Sequence, residues 1–163
     1  MTVITQLDTS SPDAPQAQIA PALRRVAADA AVLRLKVQAA RWHHAGPERR
    51  ELADLLVERE GELTHLLNSV AGRLLALGYK VPPSMAAYRA ETALSPDPSD
   101  GGPAQSLAEL SEDLGRVISG CRAAHAAAAA IDSHTAGRLA AQICALERGA
   151  WMLSAQASRD PAR

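Results

Sequence analysis

Residues 48–78, ERRELADLLVEREGELTHLLNSVAGRLLALG, decide the fold. Leu52, Leu55, Leu56, Leu63, Leu66, Leu67, Val70 and Leu74 recur at spacings of three and four, the period of one face of an α-helix. No proline interrupts the run. Gly78 stands where a helix exit calls for a residue that tolerates positive φ. From Glu48 to Leu77 the helix would be about 45 Å long, far beyond the ordinary globular helix. A helix of that length with one leucine face points to a bundle of long helices.

Outward from this stretch the same period continues. Ala45-Gly46-Pro47 closes one helix and opens the next. Upstream, Leu23, Val26, Ala27, Ala30, Leu33, Val37 and Ala40 form an apolar stripe on a helix that begins at Pro21 and runs to His44. Ala31, Leu35, Ala39 and Trp42 form a second set on another side of it. Two stripes mean cover on two sides, and the expected second cover is another subunit.

Downstream, residues 79–104 form a long connection with Pro82-Pro83, a short helix around residues 84–90 and the loop SPDPSDGGP. Ser106 and Glu109 have the spacing of a capping box, opening a third long helix that runs to about Ala130. Asp132 or Ser133 caps a fourth, which carries Leu139, Ile143, Leu146, Ala150 and Leu153 and ends near Ala157. Two short connections flank one long crossover. The expected fold is all-α: a ferritin-like four-helix bundle whose crossover carries a short helix between the second and third long helices. The bundle spans residues 21–157, with a flexible tail at 1–20 and a short one at 158–163.

Composition agrees. The 163 residues make one domain, 47% hydrophobic and 21% charged, with only 2% aromatic residues and no Phe. Alanine, the best helix former, makes up roughly a fifth of the chain. The net charge of -1 excludes the strong positive field of a small dedicated nucleic-acid binder. Cys121 and Cys144 form neither a zinc motif nor a disulfide framework. The N-terminal stretch lacks the pattern of a signal peptide, and no run approaches a membrane span. The expectation is a soluble cytoplasmic protein.

The stretch KVQAARWHHAG (36–46), continuing as GPERRELADLL, resembles the junction between the first two helices of the Dps family, the mini-ferritins. NSVAGRLLALG (68–78) is similar to the end of that family's second helix. Asp132, Thr135, Ala136 and Leu139 match its fourth helix, as do Glu147-Arg148 and Trp151-Met152-Leu153. The resemblance covers about residues 22–157. It implies a hollow, twelve-subunit homo-oligomeric shell that oxidises iron(II) between two-fold-related subunits and stores the mineral. It also implies a stress-protection role, in many members with non-specific DNA binding.

The family's iron ligands fall, residue by residue, on Arg41, Ala53, Asn68 and Gly72. None suits iron, which needs anionic oxygen or imidazole ligands in place of its water. Two of these residues offer no side-chain ligand, Asn68 is a poor neutral one, and Arg41 is permanently cationic. The leading reading is therefore a Dps-like shell protein whose inter-subunit ferroxidase centre is lost.

A second reading is a working iron(II) oxidase and iron-storage protein that uses the substitute ligands His43, His44, Asp54 and Glu58. Asp54 and Glu58 lie one turn apart on one face, a candidate weak metal site, with His43, His44 and His65 as further candidates. Glu62-Leu63-Thr64-His65 matches the Glu-x-x-His pattern of core di-iron bundles once, without the second copy such a site needs. A third reading is DNA coating through Arg49, Arg50, Arg159 and Arg163. Ala31, Leu35, Trp42 and Trp151 are the expected subunit contacts.

Overall fold

The computed structural model describes residues 16–43, 50–97 and 103–157. Among them are four long helices and one short: α1 (Ala20–His43), α2 (Arg50–Ala76), α3 (Met85–Glu91), α4 (Pro103–Ala129) and α5 (Ser133–Ala157). No strand occurs among the described residues. Helices α1 and α2 pack as one antiparallel pair and α4 and α5 as another; α1 also meets α4, and α2 meets α5. The four long helices thus close a ring around one core, built from Leu23, Leu33, Leu56, Leu63, Leu66, Leu74, Leu107, Leu146 and Leu153, among others.

The leucine stripe of α2 faces inward as its period requires, with Leu56, Leu63, Leu66 and Leu74 almost fully buried. Truncating one of these to Ala removes about 2–5 kcal/mol. The helix stops at Gly78, whose φ of 80° suits glycine alone. The Tyr79 N–H then donates to the Leu74 carbonyl at 2.8 Å and the Gly78 N–H to that of Leu75 at 3.0 Å, satisfying carbonyls that the helix end would leave bare. Asp132 caps α5, accepting from the Thr135 N–H at 3.0 Å.

The crossover covers part of the second side of α1. Helix α3 packs on α1. The Arg24 guanidinium bonds to the Glu91 carboxylate and to the Lys80 carbonyl. Buried Asp29 accepts from the Thr92 hydroxyl and the Ala93 N–H, each at 2.7 Å. Lys36 reaches the Ser95 carbonyl and pairs with buried Asp113 on α4. Ala31, expected on an open face, is accordingly buried within its own chain at 3% exposure. Leu35 and Trp42, from the same apolar set, remain exposed.

Other boundaries shift slightly. Ile19 is fully buried and accepts the Leu23 N–H, so the packed chain begins inside the stretch expected to be a tail. Helix α4 starts at Pro103, a turn before the expected cap at Ser106, because proline at a first helical position costs no hydrogen bond. The short helix is capped by Ser84, which accepts from the Ala87 N–H at 3.2 Å. The turn at Ala45-Gly46-Pro47 lies outside the described residues.

Candidate functional site

Arg41 sits in the last turn of α1, and its Nε lies 3.4 Å from Glu60 Oε2 on α2. The other oxygen of Glu60 accepts from the Gln38 amide at 3.1 Å. Two side chains of α1 therefore hold this α2 carboxylate. Ala53 is half-buried, whereas Asn68 and Gly72 are exposed farther along α2. Ala53 and Asn68 are about 22 Å apart along the helix, so one chain cannot bring the four positions together. Any centre that used all four would need a second copy.

Iron does not fit these positions. Arg41 is a cation already paired with the chain's own carboxylate, and only the neutral carbonyl of Asn68 offers a ligand atom. The same side of α2 is partly apolar. Val57 and Leu75 are 52% and 65% exposed, and both project within about 40° of Ala53 and Asn68 on the helical wheel.

The substitute ligands do not gather either. Asp54, Glu58, His43 and His65 are all exposed. Glu58 is an ion-pair partner of Arg59, 3.0 Å from its Nη2, which weakens its attraction for another cation. His44 lies outside the described residues. Among the described residues no three His, Cys, Asp or Glu side chains cluster as a metal site would need.

The group that sequence reasoning missed is Arg59. It is 1% exposed, and its Nη1 lies 2.7 Å from Glu62 Oε2. Burial pushes the Glu62 carboxyl up, partly opposed by the positive charge of Arg59 and reinforced by the nearby Glu58. A signal was present: position 59 continues the α2 stripe between Leu56 and Leu63, where an apolar residue is expected.

A ferritin-like domain model matches residues 20–162. The chain belongs to the ferritin-like family. Within it this is a divergent Dps-like member. The crystal structure of antigen TpF1 from Treponema pallidum is 30% identical, with a TM-score of 0.82 over 90% of this chain and 96% of that one. Dps from Thermosynechococcus elongatus shares the fold at 22% identity, with a TM-score of 0.84 over 93% of this chain and 98% of that one. Curated TpF1 is 38% identical over 85 residues, 50% of this chain and 48% of its own length. The chain spans about half the length of the curated relatives it matches.

In this Dps-like chain Trp42 and Trp151 are 64% and 72% exposed, so neither ring packs within its own subunit. Of the arginines considered for DNA, Arg50 is exposed at the start of α2, and Arg49, Arg159 and Arg163 lie outside the described residues. Among the described residues no helix is long and apolar enough to cross a membrane.

Proposed function

We propose that this ferritin-like chain is the subunit of a Dps-type homo-oligomeric shell, closing at twelve copies, that serves storage and stress protection without an inter-subunit ferroxidase centre. The observation that carries the reading is the pairing of Arg41 with Glu60. Where the family resemblance calls for an iron ligand, the chain has a permanent cation whose charge is already neutralised internally. Ala53, Asn68 and Gly72 supply nothing to offset it. Iron, where the shell takes it up, is cargo held weakly by carboxylates such as Asp54.

Assembly has its own support. Leu35 and Trp42 on α1 and Val57 and Leu75 on α2 expose apolar area that a second copy would bury. An interface across these faces would bring Arg41 and Ala53 of one copy toward the later turns of α2 in the other, as an isologous contact allows.

Restoring the ligands tests the reading. The variant Arg41→His, Ala53→His, Asn68→Asp, Gly72→Glu changes four half-buried or exposed positions, and a side chain at Gly72 meets nothing within 4 Å. It is expected to oxidise iron(II) with peroxide faster than the parent chain, in a phase that saturates with added iron. Equal rates in the two proteins would contradict the assignment of the lost activity to these positions.

A further inference from the structure

The interior of the bundle holds a permanent positive charge. Arg59 on α2 borders a small cavity lined by Val37 of α1, Leu63 of α2, Leu110 and Leu114 of α4, and Leu146 of α5. None of its three guanidinium nitrogens makes a well-aligned hydrogen bond among the described residues. Its charge is met by Glu62, and by Glu58 at the edge.

The fit is made by α5. A Cβ at Gly149 would lie 2.7 Å from Arg59 Cζ and 3.0 Å from Glu62 Oε2, so any other residue would collide with the ion pair. Arg59 and Gly149 are thus a matched pair, one filling the slot that the other leaves.

In ferritin-like bundles that carry metal in the core, inward glutamates and Glu-x-x-His pairs surround the ions. Here Glu62 of the single Glu-x-x-His match faces Arg59, while His65 is exposed. The remaining lining is leucine and valine. A divalent metal needs several oxygen or imidazole ligands to replace its water. A guanidinium is planar, weakly hydrated and content between apolar walls and one carboxylate.

We propose that Gly149 and Glu62, with Glu58 at the exposed edge, form a guanidinium-shaped cation site at the side of the bundle core, filled in this chain by Arg59 itself, and that once emptied it takes an alkylguanidinium ion rather than a divalent metal. The proposal concerns the core and is independent of the ligand positions between subunits.

Chemical rescue tests it, by thermal unfolding of metal-free protein. Arg59→Ala is expected to lower the midpoint by about 10 °C, since it empties core volume and takes from half-buried Glu62 its nearest counter-charge. Millimolar methylguanidinium is expected to restore about 3 °C and to leave the parent chain and Arg59→Met, whose thioether fills the slot, unchanged. No rescue beyond a tetramethylammonium control, or a comparable rise with Co²⁺ or Zn²⁺, would overturn the proposal. Should Arg59→Ala not fold, Gly149→Ala gives the second reading. It is expected to destabilise the parent chain more than the Arg59→Met background, and equal losses in the two would overturn the matched pair.

Discussion

Arg41 and Glu60 are held 3.4 Å apart across α1 and α2, and this contact changes what the junction between those helices can do. A histidine there would present a neutral nitrogen to a metal; the guanidinium presents only donors. The carboxylate that pairs with it is held by Gln38 as well, so the substitution is integrated into local packing.

The exposed apolar positions on α1 and α2 govern assembly. Leu35→Asp and Val57→Asp are expected to yield a smaller species with unchanged helix content, read by light scattering and far-ultraviolet dichroism. Ala31→Asp is expected to behave differently and lose the fold, because Ala31 is buried within its own subunit. Native-size particles from both surface variants would count against this interface.

Lys36 and Asp113 join α1 to α4 with side chains only 9% and 5% exposed. Removing Lys36 leaves buried Asp113 with only the half-exposed Arg116, 3.2 Å away, as an ion partner, so Lys36→Ala is expected to cost about 3 kcal/mol in denaturant unfolding, the low end for a broken buried pair. Replacing both with Met and Leu removes the charges together and is expected to recover most of that loss. A double variant no more stable than Lys36→Ala would argue that the pair is solvated.

Asp132 predicts acid sensitivity at the turn before α5. Burial alone would raise its carboxyl, but hydrogen bonds from the Thr135 hydroxyl and N–H, and the Arg73 guanidinium, outweigh it and hold the pKa at about 2. A carboxylate depressed in the folded state contributes stability above its unfolded pKa of about 4, and that contribution is lost as pH falls toward 2. Allowing for solvent screening, it amounts to about 1 kcal/mol. Asp132→Asn should therefore be less stable than the parent chain at pH 7 and converge with it near pH 2. A constant difference across that range would remove Asp132 as the source.

Much of this was legible in the sequence, and the failures share a physical cause. Helical period fixed the α2 leucine face, the Gly78 stop and the crossover. It also indicated that Asp54, Glu58 and His65 point outward, because a wheel reports direction from one helix axis. It does not report what lies opposite. Ala31 looked like an interface residue because nothing local shows that residues 91–95 fold back over α1. Arg59 interrupts the leucine stripe in the sequence itself, but what accommodates it does not show there, because Gly149, which supplies its space, is distant in sequence. The identities at Arg41, Ala53, Asn68 and Gly72, on which the proposed loss of the centre rests, required no structure.

Cys121 should be inert where Cys144 is reactive. Burial first, and then the nearby Asp29, push the Cys121 thiol up to about 12, so it carries almost no thiolate at neutral pH. Cys144 is exposed on α5. A thiol reagent is expected to modify Cys144 in native subunits and Cys121 only after denaturation, as read by peptide mass mapping. Native labelling at Cys121 would show that α4 opens far more readily than its packing implies.

The most direct measurement is iron oxidation by the unaltered protein. Iron(II) would be added without oxygen to metal-free protein, two ions per subunit, and followed optically after peroxide, beside a protein-free blank. The account predicts a trace that matches the blank. A fast phase that saturates at a fixed ratio of iron to subunit would contradict it, and would mean that a working centre exists despite Arg41, Ala53, Asn68 and Gly72.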